Sequence, residues 1–108
     1  MMADLDQLIS YISQEIPNLA QNILGGYTKQ ASKDVQSFIK SLQADLEFWT
    51  ESFAQGKITT DDLEFLVKAK SDLAKMRALK QAGLAKVALD RFRDAVLGVI
   101  IKGIQNVL

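Results

Sequence analysis

The stretch that decides the fold is Ser52–Leu66, SFAQGKITTDDLEFL. Gly56 is the residue type that commonly ends a helix, and Thr59 is a natural N-cap with acidic residues in the turn that follows it. Because only a few residues separate these signals, the two flanking helices must pack antiparallel, and residues whose numbers sum to about 115 should face one another. The exposed charged pairs that this rule predicts are Asp45 with Lys70 and Glu47 with Lys68.

Upstream of this turn, apolar residues recur at steps of three and four, which is the stripe of an amphipathic helix. One stripe predicts helix 2 over about residues 28–55, and another predicts helix 1 over about residues 4–24. Pro17 lies inside helix 1, and its ring clashes with the Ser13 carbonyl one turn earlier, so we expect either a kink near Ser13 or a restart of the helix at Pro17. The pair Gly25-Gly26 is expected to end helix 1.

Downstream of the turn, no proline occurs between Thr60 and Leu108. The pattern predicts helix 3 over about residues 60–82 and helix 4 over about residues 84–108, with a phase slip of the apolar stripe close to Gly83. A single glycine costs a helix about 1 kcal/mol, so we expect helices 3 and 4 to be continuous or merely bent at Gly83. A continuous helix would be about 73 Å long and would need a partner chain to cover it.

A length of 108 residues fits one domain, and 48% hydrophobic against 24% charged residues is enough to build a core. With the helical stripes, this predicts a single all-α domain over residues 1–108, a bundle of three to four helices in which helix 1 packs on the antiparallel hairpin of helices 2 and 3. The chain has neither cysteine nor histidine, which removes the ligands of most zinc, haem and iron–sulfur sites and the usual nucleophile pairs. We therefore expect a protein that is not an enzyme and holds no cofactor. The acidic start, with Asp4 and Asp6, lacks the basic region of a signal peptide and favours the cytoplasm.

The C-terminal run over residues 95–108 is apolar nearly all round. It can be the central helix of a bundle, an interface between copies of the chain, or a segment lying at a membrane surface, since 14 residues are too few to span a bilayer. We favour completion of the bundle by a homo-oligomer. The residues of this predicted oligomer interface are Leu89, Phe92, Val96, Val99, Ile100, Gly103, Ile104 and Val107.

Charge is distributed unevenly along the chain. Residues 1–56 hold 3 basic and 7 acidic side chains, and residues 57–108 hold 10 basic and 6 acidic ones. The second half contains a basic stripe, which is either a contact for phosphate or anionic lipid or a solvated helix face. Its residues are Lys68, Lys75, Arg77, Lys80, Lys86 and Arg93. Nucleic acid is not favoured, because no aromatic residues interleave with these cations.

Aromatic residues lie on both sides of the turn between Gly56 and Thr59. They either close the end of a core or form a surface on which a partner docks. The predicted docking residues are Phe48, Trp49, Phe53 and Phe65. The sequence thus favours a non-catalytic helical scaffold, adaptor or assembly subunit that contacts itself and another protein. The alternative is a peripheral protein that lays its basic, apolar second half on a lipid surface or granule.

Overall fold

The computed structural model describes the backbone of residues 2–107 and the side chains of residues 5–106. This part of the chain is helical and contains no strand, which confirms the predicted all-α class. The six α-helices are α1 (Met2–Leu19), α2 (Thr28–Ser41), α3 (Gln43–Ala54), α4 (Thr60–Ala69), α5 (Arg77–Gln81) and α6 (Lys86–Val107). A π-helical turn covers Ala20–Leu24 and a 3-10 turn covers Ser71–Leu73.

Helix α1 continues through Pro17 and changes to the wider π geometry at Ala20. The predicted end of helix 1 is confirmed, because Gly25 adopts φ 72° and donates its N–H to the Ala20 carbonyl. Gly26 donates to the same carbonyl at 3.3 Å. Two glycines therefore reverse the chain and start α2 beside α1.

The helix predicted over residues 28–55 is interrupted at Leu42, which separates α2 from α3. The Ser41 hydroxyl donates to the Ser37 carbonyl at 3.0 Å. Bonds of this kind back to the preceding turn often bend a helix. The apolar pattern does not reveal the interruption, because Ile39 before it, Leu42 at it and Leu46 after it are all buried.

The turn between α3 and α4 follows the sequence signals. Gly56 adopts φ 72°, and the Thr59 hydroxyl accepts the Asp62 N–H at 3.1 Å while the Asp62 carboxylate accepts the Thr59 N–H at 2.9 Å. This reciprocal capping box starts α4. Lys70 Nζ lies 3.7 Å from Asp45 Oδ2, which confirms the first predicted charged pair. Lys68 forms its ion pair with Glu64 instead, at 3.5 Å.

The continuous helix expected from Thr60 onward is wrong. α4 ends at Ala69, and after the 3-10 turn the chain reaches Met76, whose φ is 52°, before α5 begins. In a continuous helix, the N–H groups of Ala78 and Leu79 would bond to carbonyls one turn earlier. Both N–H groups instead donate to the Asp34 carboxylate of α2, at 2.9 and 2.8 Å. A side chain distant in sequence thus caps α5 and fixes the break.

Gly83 is a corner rather than a bend. It adopts φ 89° and donates to the Lys80 carbonyl at 3.0 Å, while Leu84 donates to the Leu79 carbonyl at 3.3 Å. This is the Schellman arrangement that closes a helix end with a left-handed glycine. The chain leaves α5 here and starts α6 at Lys86.

Helix α6 is the central helix of the molecule. It packs mainly against α1 and also contacts α3, α4 and the π-helical turn. A Cβ atom added at Gly103 would lie 2.7 Å from Leu8 Cδ1 and 3.0 Å from Tyr11 Cδ2, so the glycine lets α1 and α6 approach closely. One apolar core results, within overall dimensions of 42 × 23 × 21 Å.

Candidate functional site

Four residues of the predicted basic stripe come together around one cavity of about 470 Å³. Lys75 precedes α5, Lys80 lies in its last turn, and Lys86 and Arg93 lie in α6. The corner at Gly83 brings these elements together, because it turns the chain from α5 into α6. We name this site the basic cavity.

The floor of the basic cavity is apolar. The apolar residues that line it are Ala74, Met76, Leu84 and Leu89. Ala74, Met76 and Leu89 are buried in the core, whereas Leu84 is half-buried. The site therefore pairs a cationic rim with a surface that favours hydrocarbon or aromatic groups. Ligand sites in proteins commonly combine an apolar lining with a few converging polar groups in this way.

The positive charge of the rim is only partly compensated. Arg93 Nη2 lies 3.3 Å from Asp90 Oδ1, and Arg93 Nε lies 3.9 Å from Asp94 Oδ1. Among the side chains of residues 5–106, none of Lys75, Lys80 and Lys86 has a carboxylate within ion-pairing distance. Three ammonium groups are thus left to donate hydrogen bonds to an incoming anion. Asp90 also lines the cavity, but cations outnumber it, so the rim attracts a negatively charged group.

The geometry of this site depends on Asp34, a residue that the sequence analysis did not single out. The Asp34 side chain is 7% exposed and holds the N-terminus of α5, which carries Lys80 and follows Lys75 and Met76. One signal was present in the sequence. Asp34 occupies the buried register of the α2 stripe, between Ala31 and Phe38, where a carboxylate needs hydrogen-bond donors from another element.

The remaining residues of the predicted stripe lie elsewhere. Arg77 lines a second, neighbouring cavity of about 340 Å³, which includes Asp34 and shares Lys75 and Met76 with the basic cavity. Lys68 lines a third cavity of about 560 Å³ between α4 and α6, where Glu64 and Asp94 also lie. The six cations therefore do not form a continuous stripe, because the helix on which they were placed is broken after Ala69.

The four aromatic residues predicted as a docking surface divide into two groups. Trp49 is buried in the core, and Phe53 is half-buried against it. Phe48 and Phe65 are exposed, at 64% and 73%. Only these two are available to a partner on the folded chain.

Most of the predicted oligomer interface is already covered within one chain. The interface residues that are buried in the protomer are Leu89, Phe92, Val96, Ile100, Gly103 and Ile104. Val99 is half-buried against the core, and the side chain of Val107 lies outside the described side chains. The physical reason is that α1 packs along α6, so these residues form the core of a single chain and not a surface free for a second copy.

Comparisons with protein-family models, with curated proteins and with solved structures find no match to this chain. Among the described residues, no three acidic side chains are grouped closely enough to hold a metal ion. The basic cavity and the two exposed phenylalanines are therefore the features from which a function is inferred.

Proposed function

We propose that this chain is a non-catalytic helical adaptor or assembly subunit that binds an acidic protein surface at the basic cavity, in the cytoplasm. The observation that carries the proposal is the set of three lysines without ion-pair partners around an apolar floor. The chain has no cysteine that would need an oxidising compartment.

The energetics favour a protein partner that supplies both charge and an apolar side chain. A single exposed ion pair contributes only about 0 to 1 kcal/mol, so three lysines alone give weak binding. Burial of an apolar side chain on the floor adds about 1.5 to 3 kcal/mol. The lysines then accelerate and orient the encounter, and the apolar contact supplies most of the affinity.

Reversal of one rim charge tests the site. We expect Lys86→Glu to weaken the binding of a glutamate–tyrosine copolymer, which offers both carboxylates and aromatic rings, by about threefold to tenfold, because an attractive rim group becomes repulsive. Lys86 is the first residue of α6, where a carboxylate interacts favourably with the helix dipole, so this variant should not lose stability. The measurement is titration calorimetry at about 50 mM salt, where screening is weak.

The matched control is Lys33→Glu, which makes the same charge change at an exposed position of α2 away from the cavity. The glutamate–tyrosine copolymer should bind this variant nearly as tightly as it binds the wild-type chain. Equal weakening by both variants would mean that net charge alone governs binding, and the cavity would not be the site.

A lipid surface is the second candidate, and the observation that favours it is Val87. This side chain is 68% exposed beside Lys86 at the start of α6, so an apolar group and a cation would meet anionic headgroups together. No helix among the described residues is both long enough and apolar enough to cross a membrane. Binding would therefore be peripheral.

Vesicle sedimentation tests this second function. If the chain binds lipid, it should pellet with vesicles containing phosphatidylserine at low salt and be released at high salt. Val87→Ala should reduce the pelleted fraction. Vesicles of phosphatidylcholine alone provide the control. A chain that stays in the supernatant with both compositions would eliminate the lipid function.

A further inference from the structure

The surface formed by residues 43–65 of this chain combines negative charge with an exposed aromatic side chain, which is the chemistry that suits the basic cavity. Residues 43–65, which form α3, the turn and the first half of α4, contain six acidic side chains and one lysine, a formal charge of −5. Phe65 projects from α4 within this segment and is 73% exposed. Asp61 precedes Phe65 by one helical turn and is also exposed. We name Phe65 with Asp61 the acidic anchor.

The segment that builds the cavity is its electrostatic opposite. Residues 75–93 contain six basic side chains and one aspartate, a formal charge of +5. The apolar floor matches the phenyl ring of the anchor, and the unpaired lysines match its carboxylate. Complementary charge with an aromatic side chain in a pocket is the typical chemistry of a protein–protein contact.

The two features cannot meet within one chain. Leu89 and Arg93 share the basic cavity with the segment around Met76, whereas Leu97 and Ile101 share the third cavity with Glu64. The segment from Glu64 to Met76 therefore runs opposite in direction to α6, so that Met76 lies near the start of α6 and Glu64 lies farther along it. The 12 residues from Leu89 to Ile101 span about 18 Å of helix. The exposure of Phe65 agrees with this separation, because a phenylalanine that occupied the basic cavity of its own chain would be buried.

We propose that the chain binds a second copy of itself, with Phe65 of one copy inserted into the basic cavity of the other and Asp61 beside its lysines. This inference rests on the proposed function, since it identifies the acidic partner as the same chain. The contact joins two different surfaces, so each copy carries one anchor and one cavity. The segment predicted for self-association, α6, contributes the wall of the cavity through Lys86, Leu89 and Arg93.

Two variants separate the anchor from the cavity. Phe65→Ala removes the anchor and leaves the cavity intact, whereas Lys86→Glu spoils the cavity and leaves the anchor intact. Phe65 is exposed and alanine favours helix, so Phe65→Ala should unfold at the wild-type denaturant concentration. Lys86→Glu places a carboxylate in the first turn of α6, where it is favourable to the helix dipole. Loss of association in either variant is therefore not a loss of folding.

The experiment is light scattering on purified full-length chains up to about 1 mM, the range in which weak contacts populate. The wild-type mass should rise above the 12.0 kDa of one chain with concentration, and more steeply at low salt. Each variant alone should remain at 12.0 kDa. An equimolar mixture of the two should reach twice that mass, because the wild-type anchor of Lys86→Glu meets the wild-type cavity of Phe65→Ala.

Several outcomes would overturn the inference. A wild-type chain that stays monomeric at every concentration contradicts it, as does association that survives in Phe65→Ala or a mixture of variants that forms no complex. If the monomeric wild type still binds a glutamate–tyrosine copolymer and Lys86→Glu binds it more weakly, self-association fails while the proposed function stands. If the copolymer does not bind, both fail together.

Discussion

Replacing Asp34 by alanine should lower the free energy of unfolding by about 3 kcal/mol, because hydrogen bonds to a charged acceptor contribute about 1.5 to 3 kcal/mol each and the freed donors stay partly buried. The carboxylate accepts the N–H groups of Ala78 at 2.9 Å and Leu79 at 2.8 Å, and Leu79 is fully buried. Domains of this size are stable by about 5 to 15 kcal/mol, so the loss is a large fraction of the total. Urea denaturation measures it.

The loss should also be local. α5 has only five residues, and Met76 before it offers no side-chain cap, so nothing else within the described residues secures its N-terminus. We expect amide hydrogen exchange of Ala78 and Leu79 to accelerate far more than that of residues in α1 or α6. Loss of order in α5 should also weaken binding at the basic cavity, since Lys75 and Lys80 flank these amides.

Two further variants check the cause. Asp34→Asn keeps the shape and one acceptor oxygen, so it should lose about half as much stability as the alanine variant. Asp72→Ala removes an exposed aspartate near the same segment and should change stability by less than about 0.5 kcal/mol. If Asp34→Ala unfolds at the wild-type urea concentration, the carboxylate does not hold α5.

Gly103→Leu should destabilise the chain by about 3 kcal/mol, because overpacking of a filled core forces side chains and backbone to shift. Even a single Cβ at this position would lie 2.7 Å from Leu8 Cδ1, and Leu8 is fully buried. A leucine adds three further carbons to the contact between α1 and α6. Thermal denaturation measures the effect as a lower Tm.

The same substitution five residues earlier gives the control. Gly98 lies in α6 and is exposed, and a Cβ atom added to it would have no neighbouring side chain within 4 Å. Gly98→Leu should therefore raise stability by about 0.5 to 1 kcal/mol through helix propensity alone. If Gly103→Leu and Gly98→Leu changed the stability in the same direction, the close approach of α1 and α6 at Gly103 would be contradicted.

The sequence predicts those parts of the fold that local signals govern. Gly25, Gly56 and Thr59 mark helix ends correctly, because their backbone conformations or caps involve only neighbouring residues. The break after Ala69 has no such signal. It depends on Asp34, 44 residues before Ala78, and a single charged residue in an apolar stripe does not identify its partner.

The cations of the basic cavity could be identified from the sequence, whereas the shape of the cavity could not. Lys75, Lys80, Lys86 and Arg93 belong to the predicted stripe, but a continuous helix would have spread them along its length. The corner at Gly83 gathers them instead. Most residues of the predicted α6 interface are instead buried within one chain. Periodicity cannot tell whether an apolar face is covered by α1 of the same chain or by another chain.

The cap that Asp34 places on α5 also makes one helix conditional on another. A helix of five residues is too short to persist alone, so α5 depends on the carboxylate that α2 offers. Lys75 and Lys80 flank the two capped amides, so their positions depend on α2 although neither residue lies in it.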